Sequence, residues 1–318
     1  MKEIGGYLEL DMNTGFMLHQ DGILLNCGRN ALAYLLTAKD IKRIWLPYFL
    51  CDSVFNVCKK YGVEIVYYHI NDEWLPVGIE LASEDWLYMV NYYGQLDKED
   101  ILGLVSKYNR VIVDNAQAYF EEPLPKVDTL YTCRKFFGVS DGAVLFTDCE
   151  IKEDLTMDES FERIHFVLGR FERCAGDFYQ EASSNNEIFD NEPIKRMSKL
   201  TRNILHGVDY QFVNTRRTEN YRFLNERLKS INNLKVKDIN GAFMYPLMIE
   251  DAQKVKKKLL ERKIYIPTLW PNVVNDLPHD WWEWKLANNV LPLPCDQRYG
   301  LEEMKYMVNM IIERMSRL

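Results

Sequence analysis

The sequence has no CxxC pair and no cysteine and histidine spacing suited to a metal, although it carries seven cysteines, at 27, 51, 58, 133, 149, 174 and 295. An odd, scattered set argues against a zinc site and a disulfide framework and fits reduced thiols, so the expected compartment is the cytosol. No apolar run is long enough to span a bilayer. Residues 1–10 carry Lys2, Glu3 and Glu9 without a sustained apolar core, so neither a membrane partner nor a signal peptide is expected. Excess positive charge is missing as well. A formal net charge of -8 argues against a nucleic-acid partner but leaves room for a local basic pocket holding one small anion. Repeats, low-complexity tracts and long linkers are absent. The composition that remains, 47% hydrophobic and 27% charged over 318 residues, is that of a globular chain long enough for two domains.

What the first half does have is alternation. Ile23-Leu24-Leu25 leads through Asn26-Cys27-Gly28-Arg29-Asn30 into a helical stretch with Leu32, Leu35 and Leu36 on one face. The run 43–47 reads as a strand, 48–60 as a helix, 63–68 as a strand, 86–93 as a buried strand, and 100–108 as a helix leading into Val111-Ile112-Val113. Strands that alternate with helices imply an α/β chain with a mostly parallel, doubly wound sheet. The glycine turn at Gly28 opens a helix, whose free N–H groups make a natural phosphate seat, and Arg29 adds a charge; an ordinary Asn/Gly helix cap is the plainer alternative.

The stretch 110–148 organises the rest. Its first apolar run delivers Asp114 to a strand end, where open α/β sheets bind ligands. A second strand signal, 129–131, precedes Thr132-Cys133-Arg134-Lys135, and a third, 143–146, follows the turn Ser140-Asp141-Gly142. An acid and a lysine thereby reach loop positions. Pyridoxal phosphate (PLP) chemistry asks for this pair, a lysine amine to hold the cofactor aldehyde and a carboxylate to keep the pyridine nitrogen protonated. Singly, the aspartate reads as a turn cap and the lysine as a solvated charge; the pattern as a whole makes the case.

That pattern, Asp114-Asn115-Ala116-Gln117-Ala118, then Lys135, then Asp141-Gly142-Ala143-Val144 closing on a strand, resembles the core of the DegT/DnrJ/EryC1/StrS group of PLP-dependent aminotransferases. The resemblance implies the PLP-dependent transferase fold type I, with Asp114 on the pyridine nitrogen, Gln117 near the ring hydroxyl and Lys135 as the catalytic residue carrying the cofactor. Gly28 and Ala31-Leu32 match the phosphate segment of the family, with Arg29 in place of its threonine. Thr132 stands where a phosphate hydroxyl is expected. Asn91 takes the place of a histidine that meets the ring oxygen, or else satisfies a loop backbone group. The position aligned with the stacking aromatic holds Cys51, which leaves Tyr48 or Phe49 to stack, or neither.

Beyond residue 148 the pattern becomes helical over 158–181, then a polar loop at 183–186 and a break at Pro193. Arg196-Met197-Ser198 is similar to the end of a family segment that reaches the neighbouring subunit's site, but Ile194 stands where its asparagine belongs, so no partner-subunit ligand is carried over. Thr215-Arg216-Arg217 with Glu219 reads as the solvated face of a connector helix, or as an anion-recognising pair. Strand 242–248, helix 251–262, short strand 264–266 and a last helix with Leu301, Met304, Val308, Ile311 and Met315 on one stripe give a smaller C-terminal α+β domain. The segment 291–294 resembles the family's terminal LPxxP type. The tryptophans at 281, 282 and 284 read as packing or subunit contact, or as a lid on a base.

The expected division is a PLP-binding domain over 1–205 and a connector plus small domain over 206–318. The resemblance implies transfer of an amino group from an amino-acid donor, glutamate, to a nucleotide-linked keto sugar in polysaccharide or glycoconjugate synthesis, by a cytoplasmic homodimer with no metal. A non-catalytic binding or regulatory protein on the same fold is the alternative.

Overall fold

The computed structural model describes residues 4–315. The chain enters through β1 (Ile23–Leu25), α1 (Gly28–Ala38), β2 (Arg43–Pro47), α2 (Asp52–Lys60), β3 (Glu64–Ile70), β4 (Pro76–Val77) and β5 (Trp86–Val90). It continues with α3 (Lys98–Tyr108), β6 (Val111–Asp114), β7 (Asp128–Thr132) and β8 (Ala143–Phe146). Their eight strands form one sheet in the order β1-β8-β7-β6-β5-β2-β3-β4. The five in the middle, β7 to β3, pair in parallel, while β1, β8 and β4 are antiparallel to their neighbours. The central strands are buried along their length, as β6 and β5 show, which is why they appear in sequence as unbroken apolar runs. α3 starts where it does because Asp97 and Asp100 form a reciprocal capping box, each side chain accepting the other's backbone N–H.

After the sheet come α4 (His165–Glu172), α5 (Tyr179–Ile188), α6 (Lys199–His206) and α7 (Tyr210–Leu228). The long helical reading of 158–181 is thus broken into short pieces, and the polar run 183–186, expected as a loop, lies inside α5. Its Asn185 is buried and donates to Ser140 O at 2.8 Å, so a tertiary contact overrides the polar composition.

The remaining elements are β9 (Met244–Met248), α8 (Ala252–Glu261), α9 (Pro271–Asp276), α10 (Trp282–Asn289), β10 (Val290–Pro294) and α11 (Leu301–Met315). β9 finds its antiparallel partner in β10, with Pro292 opposite Pro246, and residues 264–266 form no strand. Both strands of a two-stranded sheet are edges, so the missing proline N–H groups are tolerated. On α11, Met304, Met307, Val308 and Ile311 are buried and Leu301 is exposed; the Met315 side chain lies outside the described residues. These side chains join Tyr221, Leu224, Leu228 and the inner residues of β9 and β10 in a second hydrophobic cluster beside the one around the large sheet.

Candidate active site

The parallel register aligns the carboxyl ends of β5, β6 and β7, and Asp114 is the last residue of β6. Its Oδ2 accepts from the Tyr88 hydroxyl at 2.7 Å and its Oδ1 from the Ala116 N–H at 2.8 Å. Burial raises the carboxyl above its ordinary range, opposed by the Lys135 charge and these two hydrogen bonds. Lys135 lies on the loop after β7, exposed, with its Nζ 5.6 Å from the centroid of the Phe243 ring. The acid and the amine feel each other's charge without forming an ion pair.

Gln117 is buried on the turn that follows β6, and its Oε1 accepts from Tyr93 N at 2.8 Å. That bond holds Tyr93 in a left-handed conformation, φ 53°. Thr132 ends β7, partly buried, and a Cβ added at Gly28 would lie 3.9 Å from the Thr132 Cβ, so the first turn of α1 and the end of β7 face each other. The hydrogen bond from Gly142 N to Asn26 O, 2.6 Å, ties the two together. Gly28, Asp114, Gln117, Thr132 and Lys135 therefore all stand along the carboxyl ends of the sheet or the turns that leave them.

Two of the expected cofactor contacts are engaged elsewhere. Arg29 donates to Asn186 O at 2.9 Å and lies 3.2 Å from the Asp190 carboxylate, so it faces the α5 segment. Asn91 is fully buried, gives its amide hydrogens to Leu96 O and Asn115 Oδ1, and accepts from Leu96 N. Its amide shapes the loop after β5, the second of the two roles open to it. Of the two aromatic residues at 47–51, Phe49 is buried among Trp74, Tyr92 and Trp270, and Tyr48 packs on Tyr67, His69 and Trp281. The tryptophan cluster is packing, with Trp282 bonded to Asn71 O and Trp284 to Val274 O.

Two residues around the site were missed in the sequence. Tyr88 sits inside a strand buried on both faces, where any apolar or aromatic residue reads alike. Arg217, expected on a solvated face, is 2% exposed and donates to Gln297 Oε1, Ala242 O, Phe243 O and Phe136 O. It thus ties the residue after Lys135 to residues 242–243, which lead into β9. A clue was available, because Arg217 falls at helical spacing in line with Val213, Tyr221, Leu224 and Leu228. Among the described residues no cluster of histidine, cysteine or acid could hold a metal, and no helix is long and apolar enough to cross a membrane.

The set fits a PLP group. A buried carboxylate stands at a strand end within the field of a lysine, and the opening turn of a helix lies opposite a threonine hydroxyl.

No family model and no curated protein matches the sequence. Solved structures do match in shape. The chain is similar to S. venezuelae DesV in complex with a ketimine intermediate, at 15% identity over 93% of this chain and 85% of that one, with a TM-score of 0.67. It is similar to NtdA from Bacillus subtilis with bound cofactor PMP (15%; 92% and 72%; TM-score 0.65). It also resembles Helicobacter pylori PseC, an aminotransferase involved in the biosynthesis of pseudoaminic acid (14%; 93% and 86%; TM-score 0.60). The chain has the fold of these aminotransferases, the PLP-dependent transferase fold, with its mostly parallel sheet.

Proposed function

We propose that this chain is a PLP-dependent aminotransferase in which Lys135 carries the cofactor and Asp114 faces its pyridine nitrogen. The observation that supports this most is the buried Asp114 carboxylate at the end of β6, within the field of the exposed Lys135 amine, on an aminotransferase fold. Bound there, the cofactor supplies an electron sink for the substrate carbon and a carrier for the amino group. Asp114 accepts a hydrogen bond from the protonated ring nitrogen, while the Tyr88 hydroxyl and the Ala116 N–H hold its two oxygens in place. The Lys135 amine would hold the cofactor and, when free, would serve as base and then acid toward the substrate carbon. Gln117 has its Oε1 committed to Tyr93 and keeps its Nε2 for the ring. The first N–H groups of α1 at Gly28 and the Thr132 hydroxyl seat the phosphate.

The acceptor in this reading is a nucleotide-linked keto sugar, the donor glutamate, and the setting polysaccharide or glycoconjugate synthesis. A cavity of about 670 Å³ between the α4–α5 segment and the C-terminal part of the chain, lined by none of the proposed cofactor residues, has room for a ligand of that size. Its walls include Phe178, Tyr265 and Tyr299 together with the exposed Arg170, Arg262 and Lys263, a mixture suited to an aromatic base and its phosphates. A cytosolic homodimer belongs to the same proposal. All seven cysteines are unpaired, and Tyr7, Leu8 and Phe171 lie almost fully exposed, apolar surface that a second copy would cover.

Borohydride reduction of the PLP-treated protein followed by peptide mapping tests the proposal. A pyridoxyl mass on Lys135, together with loss of the visible absorbance on adding glutamate before reduction, is the expected result. A protein that stays colourless with PLP, or is labelled only at other lysines, overturns the enzymatic reading in favour of a binding protein on the same fold.

A further inference from the structure

Arg134, next to Lys135, forms no ion pair with an acid among the described residues, and Asp141, whose field reaches it, is held by Ser198 and Thr201. The Arg134 hydrogen bond goes to the neutral Asn186 Oδ1 at 2.6 Å, and its cationic face lies on the Phe189 ring, 4.7 Å from the centroid. The neighbouring arginines differ. Arg29 has Asp190, and Arg163, on the same Phe189 ring, has Asp158 at 2.6 Å. Burial, with Arg29 and Arg163 nearby, pushes the Arg134 pKa down to about 10. A half-buried guanidinium whose hydrogen bond goes to a neutral amide keeps its charge to offer, and an anion arriving beside it gains a charge-assisted contact. Its position says which anion. Arg134 is close enough to Cys27, the residue capping α1, for its charge to act on that thiol, and so lies at the helix turn where Gly28 faces Thr132.

Asn186 sharpens the argument. It accepts from Arg134 through Oδ1 and from Arg29 through its backbone oxygen, so the α5 segment fixes both side chains. A carboxylate there would hold Arg134 equally well but would neutralise it. The neutral amide orients the guanidinium and leaves its charge for a ligand.

We propose that Arg134, held by Asn186, is the cationic contact of the cofactor phosphate, the role that Arg29 was expected to fill. The inference rests on the PLP reading of the site. Arg134 is a binding residue here, and Asn186 a positioning residue that acts through it.

The test compares PLP with pyridoxal, which lacks the phosphate, in equilibrium titrations of the full-length apo chain read by absorbance. In Arg134→Gln, PLP binding weakens about 10- to 100-fold while pyridoxal binding is unchanged. Asn186→Asp, which preserves shape, weakens PLP in the same selective way, and the ³¹P resonance of bound PLP shifts in both variants. If pyridoxal attaches to Lys135 but the PLP-to-pyridoxal ratio is the same in parent and variants, the inference fails and the proposed function stands. If neither compound attaches to Lys135, the proposed function fails. Inorganic phosphate then decides the inference alone: a thermal shift with phosphate that Arg134→Gln abolishes upholds an anion site, and an equal shift in both proteins overturns it.

Discussion

Two adjacent arginines on α7 should respond very differently to the same change. Arg217→Met removes four donor contacts at 2.8 to 3.3 Å, to Gln297 Oε1, Ala242 O, Phe243 O and Phe136 O. One acceptor is covered in the variant, because Gln297 Nε2 still donates to Phe136 O at 2.7 Å. The carbonyl of Phe243 loses its charged donor and that of Ala242 keeps only the weak Cys295 thiol at 3.7 Å, and a stranded buried acceptor costs about 1–3 kcal/mol. Methionine recovers part of this, since a guanidinium no longer has to be desolvated. The net expectation is a loss of about 3–5 kcal/mol, or roughly 6–10 °C in melting temperature for a chain of this size. Arg216 lies 3.9 Å from Glu219 with about a third of its side chain exposed, and Arg216→Met should cost about 0–0.5 kcal/mol. Scanning fluorimetry and urea unfolding of the full chain measure both. Equal losses, or a loss for Arg217→Met below about 1 kcal/mol, would refute the claim that Arg217 joins the Lys135 loop to the C-terminal half.

Asp114→Asn tests the electrostatics of the site in the apo protein. Burial makes the folded chain bind the Asp114 proton more tightly than the unfolded chain does, so this carboxyl takes away stability as pH rises from the ordinary carboxylate range through its raised folded value. The variant is expected to melt above the parent at pH 7 by more than it does at pH 4.5 while losing turnover, and a smaller difference at pH 7 would contradict the sign. Gly142→Ala should cost about 1–3 kcal/mol in urea unfolding. Its φ is +115°, and the new Cβ would stand 3.1 Å from Thr201 Cγ2 and 3.2 Å from Cys133 Cβ; an unchanged midpoint would show that the turn can relax.

The parts of the fold that were legible are those whose cause is local. Parallel strands covered on both faces are unbroken apolar runs, so β6 appears almost at its true limits, while the run expected as a strand over 86–93 stops at Val90, where Asn91 begins the turn. In sequence the segment 291–294 carries only a family resemblance and reads as no strand, since two of its four residues are prolines without an N–H, and only the pairing with β9 makes it part of β10. Residues 264–266 have the apolar character of a strand and no partner. The single long helix expected over 158–181 breaks at Arg173, which is extended with φ -137° and ψ -170°, so α4 ends before the turn that leads to α5.

The same division runs through the site. Asp114, Gln117 and Lys135 could be named because each lies in a short pattern tied to a strand end. Tyr88 and Arg134 act through partners far away in sequence. The β5–β6 register sets Tyr88 opposite Ile112 and Val90 opposite Asp114, and residues two apart on a strand share a face, so Tyr88 and Asp114 meet only once that register is fixed. For Arg29 and Arg134 the deciding residue is Asn186, more than fifty positions from either. Read along the chain, Arg29 is the arginine beside the helix turn, and it invites the phosphate assignment. Folding brings the segment 186–190 beside that turn, gives Arg29 the Asp190 carboxylate, and gives the neighbour of Lys135 the neutral Asn186 amide. On the proposed reading Arg134 is therefore the guanidinium left for the phosphate, because the segment 186–190 offers Arg29 a carboxylate and Arg134 only a neutral amide.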